Sequence, residues 1–430
     1  MKKTYKKWLI ASTAVLPVPV WGEDRFNGAD TAWILASTAL VLFMTLPGLA
    51  LFYGGLVRVK NVLSVLMQCF VIAGAVSLLW LALGYSLAFT HGGELNPLIG
   101  GFSKVFAKGI GPDSLSGSLP ESVFLMFQMT FAIITPALIV GGFAERMRFS
   151  AMLCFSALWL LLVYVPICHW VWGGGWLSDL GVMDFAGGIV VHITCGVAAL
   201  VAAVVLGVRR GFPDVPMPPH NMTMTVSGAG MLWVGWYGFN GGSALAADGA
   251  AGMAILATHL AASAGALTWM FIEWIRFGKP SVLGVVTGMV AGLGTITPAS
   301  GYVGPVGGMV LGVLGGGICF TATQVIKRVL KIDDSLDVFP VHGIGGILGS
   351  LMTGVLAAKS LGGLGLAAGV TVSHQVGVQA VAVISAVAWC AMVSFLLLKS
   401  LDAVLGLRVS RDEETEGLDI VLHEEKGYHW

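Results

Sequence analysis

Asp184-Phe-Ala-Gly-Gly-Ile-Val-Val-His192-Ile-Thr-Cys-Gly-Val-Ala-Ala-Leu200 and Asp337-Val-Phe-Pro-Val-His342-Gly-Ile-Gly-Gly-Ile-Leu-Gly-Ser-Leu351 each place one histidine near the middle of a strongly apolar run. An ionisable side chain at bilayer depth is costly, so it faces a cavity or a partner and marks a transport path. Two such residues suggest a pair, and the function is expected to lie in what passes His192 and His342. The chain around them fits this setting. It is 56% hydrophobic and only 11% charged, with a mean hydropathy of +0.86, whereas soluble domains average about 25% charged residues.

These numbers describe a polytopic membrane protein in a lipid bilayer. Net charge is zero and no basic stripe is present, which argues against nucleic acid as a partner. The six cysteines lie within or at the ends of apolar runs without C-x-x-C spacing, and are read as small core residues. Residues 1–22 combine a basic start (Met1-Lys-Lys-Thr-Tyr-Lys-Lys-Trp8) with an apolar stretch too short to span about 30 Å and interrupted by Pro17 and Pro19. Small residues follow at Val20 and Gly22, so the segment reads as a signal peptide cleaved to leave Glu23 first. The alternative is a retained extra helix.

Eleven apolar segments follow, at roughly 31–53, 61–89, 121–143, 150–171, 184–207, 223–240, 249–274, 281–299, 303–326, 338–357 and 371–398. Arg58, Lys60, Arg146, Arg148, Arg209, Arg210, Arg276, Lys279, Lys327, Arg328, Lys331 and Lys399 fall in alternate gaps. Arg25, Lys104, Lys108 and Lys359 fall in the others. The positive-inside rule then puts the N-terminus outside and the C-terminus in the cytoplasm. The histidines sit in the fifth and tenth segments, each in a run that opens on an Asp (Asp184, Asp337). Five segments per half give an inverted repeat with its site near the membrane midplane. The expected architecture is all-α, with an eleven-helix transporter domain at 23–400 and a polar tail at 401–430. Glycine-rich patterns such as Gly343-Ile-Gly-Gly346 read as close helix packing. Signatures for nucleotide binding, zinc proteases and serine hydrolases are lacking, so no enzyme activity, cofactor or metal is expected.

Aromatic residues gather at the expected outer ends of the third to sixth segments. An interfacial belt accounts for many of them. It does not account for Phe127 and Phe131, four residues apart on one helix face, or for Ser243 after the Gly238-Phe-Asn-Gly-Gly turn. Aromatic faces with one hydroxyl suit a small cation, held by about 0.5–2 kcal/mol of cation–π attraction. Deeper in, only the histidines are polar. A bare cation there costs at least about 2.5–3.5 kcal/mol, so the path selects a small weak base that can shed its proton, with imidazole available as a relay.

Six blocks in one order carry a resemblance to a known family. They are Pro47-Gly-Leu-Ala-Leu-Phe-Tyr-Gly-Gly55, Ala144-Glu-Arg-Met-Arg-Phe149, His169-Trp-Val-Trp-Gly-Gly-Gly175, Asp184-Phe-Ala-Gly-Gly188, Gly235-Trp-Tyr-Gly-Phe-Asn-Gly-Gly-Ser243 and Asp337-Val-Phe-Pro-Val-His-Gly343. From about Ala29 to Tyr428 the chain resembles the Amt/Mep/Rh ammonium transporters, in particular the bacterial Amt branch. The resemblance implies eleven helices, an inverted five-plus-five repeat, a homotrimer with one central pore per subunit, and a bacterial inner-membrane location. It implies an outer ammonium and methylammonium site at Trp172, Phe131 and Ser243 with Trp236 and Phe127 nearby, and a gate of Phe131 and Phe239. His192 and His342 become the twin pore histidines. Asp184 resembles an acidic residue that is structural or assists recruitment, for which a helix cap serves equally well, and Thr287 stands where a hydroxyl is common near that carboxylate.

The tail resembles a cytoplasmic regulatory segment that docks across subunits and receives a trimeric PII-type signal protein. It departs at His423-Glu424-Glu425, where many members have His-Gly-Glu, and Pro340 replaces a common small residue close to His342. The resulting expectation is recruitment of NH4+ outside, deprotonation, and conduction of NH3. The rivals are a passive gas channel of the Rh type and an ammonium sensor signalling through its tail.

Overall fold

A computed structural model describes residues 26–428. The proposed signal peptide lies outside the described residues. Within them the chain is a bundle of long helices with one two-stranded hairpin, Leu115–Ser116 against Leu119–Pro120. Nine helices are long and apolar enough to cross a membrane: α1 Gly28–Leu56, α2 Val59–Phe89, α3 Glu121–Phe143, α4 Phe149–Asp179, α5 Gly188–Leu206, α7 Gly249–Phe277, α9 Pro305–Val329, α10 Phe339–Leu356 and α11 Val372–Leu405. Between them stand α6 (222–241) and the shorter apolar helix α8, Val282–Ile296. All eleven segments expected from the sequence are therefore helical. The last helix runs five residues past the expected boundary at 400, because Leu401 is still packed in the core.

Side-chain caps explain several starts. Asn27 accepts from the N–H groups of Ala29 and Asp30 at α1, Asn221 from Met224 at α6, Asp248 from Ala250 and Ala251 at α7, and Ser281 from Gly284 at α8. Alternate helix ends meet at two faces of the bundle. The face carrying the tail is held by a buried polar network. Arg146, fully buried, donates to the carbonyls of Gly142, Ala144, Gly207 and Asp333 and to Ser335 Oγ. Arg209 joins Asp333 and Glu145 beside it. Burial alone would raise the Glu145 carboxyl, yet Arg209 and Arg58 overcome this and hold it below the usual carboxylate range.

The tail packs on its own chain. Glu414 accepts from Arg210 N and Arg408 Nη2, each at 2.7 Å. Asp419 accepts from Leu63 N and Ser64 N, capping the start of α2, while Leu418 N donates to Asn61 Oδ1.

The two halves are related through α5 and α10, which enter the bundle from opposite faces. His192 and His342 are 150 residues apart, and the same offset aligns the turns that lead into them. Gly187 and Asp337 both adopt positive φ, 106° and 60°. Three residues before each stands an aspartate, Asp184 or Asp334, whose Oδ2 accepts from the N–H five residues on, Ile189 or Phe339. Asp334, then, is the counterpart of Asp184. The sequence expectation that paired Asp184 with Asp337 is corrected: Asp337 occupies the place of Gly187, a left-handed position that aspartate tolerates better than most residues.

Candidate functional site

Both histidines lie on π-helical turns, Gly188–Ile193 and Phe339–Gly343, and Phe239 lies on a third, Tyr237–Gly241. Four further π turns among the described residues, Met44–Leu49, Trp80–Gly84, Leu160–Tyr164 and Val325–Val329, carry no expected site residue, so it is the meeting of these three turns rather than the turn type that marks the site. α5 and α10 cross with their backbones in contact. A Cβ added at Gly196 would come within 2.4 Å of Gly343 Cα, so glycine is what lets the histidines meet. Their Nδ1 atoms are 3.2 Å apart and their rings are stacked, with centroids 5.2 Å apart. One ring must donate and the other accept across that contact. His192 Nε2 is buried without a hydrogen-bond partner.

Three cavities line up on the pair. At the face away from the tail, a vestibule of about 270 Å3 is lined by Phe131, Trp172, Ser243, Gln128 and Phe185 among others. Trp172 stands edge-on to Phe131 at 5.9 Å and is fixed by donating Nε1–H to Asp184 O at 2.9 Å. Ser243 donates to Phe239 O. Beneath the vestibule the Phe131 and Phe239 rings overlap at 4.3 Å, tilted 35°. Below them a cavity of only about 10 Å3 is walled by apolar side chains and both histidines, at the lower limit for one water-sized molecule. On the tail side a third cavity of about 240 Å3 reaches His342, Thr287, Asp337 and Lys327.

Several expected site residues are placed together, namely Phe131, Trp172 and Ser243 at the vestibule and Phe239, His192 and His342 beneath it. Others fall elsewhere. Phe127 does not line the vestibule but packs edge-on behind Phe131, with centroids 5.0 Å apart. Trp236 is deeper than expected: it stacks on His192 at 5.5 Å and donates to Thr297 Oγ1. Thr287 is not near Asp184. It lies at the tail-side cavity, bonded to Leu283 O, nine residues and roughly 13 Å of helix rise from Ile296. Asp184 is a cap, its Oδ1 accepting from Gly187 and Gly188 and its Oδ2 from Ile189 and Val190 at 2.6–3.1 Å. Two neighbours of the path were missed. Gln128, adjacent to Phe127, reaches the vestibule with its Oε1 unpartnered. Cys195 lies beside the histidine pair, and its spacing in His192-x-x-Cys195 was the available signal.

The profile of the Ammonium Transporter Family matches residues 32–428. The chain is 46% identical over 403 residues to the ammonium transporter of Bacillus subtilis (strain 168), covering 93% of this chain and 98% of that protein. It is 45% identical over 405 residues to ammonium transporter Amt1 of Archaeoglobus fulgidus, covering 94% and 100%. Among solved structures it is similar to a Sensor Amt Protein (TM-score 0.85, 32% identity, 92% of this chain and 98% of that one). It is likewise similar to Saccharomyces cerevisiae Mep2 (TM-score 0.81, 38% identity, 90% and 91%).

Proposed function

The chain belongs to the ammonium transporter family, and from that premise we propose that it recruits NH4+ at the vestibule, strips one proton there, and passes NH3 through the narrow cavity. The observation that carries this reading is the change of chemistry along one line. Ring faces and a hydroxyl at Phe131, Trp172 and Ser243 favour a cation. The apolar cavity beneath disfavours one by at least about 2.5–3.5 kcal/mol. Ammonium is a cation that becomes a small neutral base by losing one proton. The histidine pair supplies a donor and an acceptor for that base, and a route for the proton.

We place the vestibule outside, the tail in the cytoplasm and the protein in a bacterial inner membrane as a homotrimer, with the signal peptide removed near Glu23. Three arginine- and lysine-rich gaps on the tail face, at residues 58–60, 146–148 and 209–210, support that orientation. The tail, seated on Lys60 and Arg210, is a docking surface for a PII-type signal protein. A sensing role is the second reading, favoured by the likeness to the Sensor Amt Protein.

The test compares current with labelled methylammonium uptake in liposomes for wild type, His192→Asp and His342→Ala. A relay predicts that the charge moved per substrate changes in both variants. An unchanged ratio in all three would remove the relay and leave the histidines as hydrogen-bond partners.

A further inference from the structure

We propose that the pore centre also binds one soft monovalent cation of the Cu(I) or Ag(I) class, held by His192, His342 and Cys195. One ring nitrogen of each histidine and Cys195 Sγ lie within 4.8 Å of one another, and all three residues are buried. No other group of three such donors is so placed among the described residues. Cys195 follows His192 by three residues and faces the same way, and the α5–α10 crossing brings in His342.

The dimensions fit three-coordinate binding. Zinc's bonds, about 2.0–2.1 Å to nitrogen and about 2.3 Å to sulfur, set a lower limit for a soft ion as large as Ag(I), so three donors around it sit at least roughly 3.5–3.8 Å apart. The two Nδ1 atoms, at 3.2 Å, open by a few tenths of an ångström or more, and Cys195 Sγ, within 4.8 Å of the ring nitrogens, closes by up to about 1 Å through a turn of its side chain. The bonds to be given up are weak. With both Nδ1 lone pairs on the ion each neutral ring carries its proton on Nε2, and Cys195 Sγ leaves only a 3.4 Å contact to His192 O within its own helix.

Charge selects the metal. Binding breaks the Cys195 S–H bond, forms a metal–sulfur bond, and releases one proton to solvent through the tail-side cavity, while both imidazoles stay neutral. A monovalent ion with one thiolate is neutral overall. A divalent ion would leave a net positive charge among apolar side chains, the arrangement that membrane interiors penalise. The thiolate further favours soft ions. Since both histidines line the narrowest cavity and His342 also borders the tail-side one, an ion that holds them enters from the tail side and plugs the path.

The site stands on geometry; only its effect on uptake rests on the transport reading. The full-length protein is titrated with silver nitrate, with calorimetry and elemental analysis of the desalted complex. Wild type is compared with Cys195→Ser, Cys195→Ala and, as a control at the exposed thiol, Cys154→Ala. One tight Ag(I) per chain is expected in wild type and Cys154→Ala, weakened at least about tenfold in both Cys195 variants. In vesicles, Ag(I) should block methylammonium uptake by wild type, while Cys195→Ser transports normally without metal and resists the block. Equal affinity in the Cys195 variants, or loss in Cys154→Ala alone, overturns the site whether or not any variant transports. Should the Cys195 variants aggregate, X-ray absorption of the wild-type silver complex decides. One sulfur and two nitrogen neighbours support the proposal; sulfur alone or oxygen alone refutes it.

Discussion

The turns that lead into α5 and α10 are built on one plan and finished differently. At α5 the Asp184 carboxylate is saturated by four backbone N–H groups, and the turn passes through Gly187. At α10 the equivalent Asp334 receives Phe339 N on Oδ2 while Oδ1 has no hydrogen-bond partner, and the turn passes through Asp337, which pairs with Lys327 at 2.8 Å. The α5 turn is a closed structural unit from which Trp172 hangs. The α10 turn carries charge at the mouth of a cavity. A repeat can thus keep where it sets a histidine while finishing the two mouths differently, one with aromatic rings and one with an ion pair.

The largest way to break this comparison is at the aspartates. Asp184→Ala strands four buried donors and Asp334→Ala fewer. At about 1–3 kcal/mol for each group left unpaired, Asp184→Ala should cost well over 4 kcal/mol and Asp334→Ala about 1–3. Thermal unfolding in detergent, followed by tryptophan fluorescence, measures both, and equal losses would mean that the two turns are equally braced. Next, Gly196→Ala drives a methyl group into the Gly343 backbone and should destabilise by about 1–3 kcal/mol. The same change should lower maximal uptake by spreading the histidines.

Smaller effects sharpen the contrast between the mouths. Trp172→Leu should weaken apparent affinity for methylammonium by about 0.5–2 kcal/mol. Trp236→Leu, beneath the Phe131 and Phe239 rings and against His192, should change maximal rate and leave apparent affinity nearly alone. Matching shifts in affinity would put both in one site. The smallest effect is expected from Asp337→Gly, which exchanges a half-exposed ion pair worth about 0–1 kcal/mol for a residue suited to φ 60°. The reciprocal Gly187→Asp should be worse, because its Cβ would lie 2.8 Å from Val191 Cγ2 and 3.2 Å from the Trp172 ring. Denaturation midpoints of the two variants rank them.

The helical segments and the histidine pair were legible because hydropathy and a lone ionisable residue are local properties of the chain. Depth and facing were not. Trp236 and Trp172 look alike in sequence, and only the folded chain, with Trp236 stacked on His192 and bonded to Thr297, shows that one lies below the Phe131 and Phe239 rings. Thr287 resembled a partner for Asp184 because a motif position carries no information about which end of α8 it occupies. The Asp337 pairing failed for a related reason: Asp333, Asp334 and Asp337 are interchangeable by composition, and positive φ at Asp337 is invisible until the turn is built.

The π turns that carry His192, His342 and Phe239 have a consequence for how the chain tolerates a change of length. Relative to an α-helix, a wide turn holds one surplus residue, and each residue in a regular helix accounts for about 100° of rotation. Because the wide turn absorbs its surplus residue locally, deleting a single position between 188 and 193 would close the turn and leave the two ends of α5 in phase, while the residues on the turn itself, His192 among them, would change their facing. A length change of one at this turn would therefore displace the histidine while sparing the ends of the helix, a disturbance no single substitution reproduces.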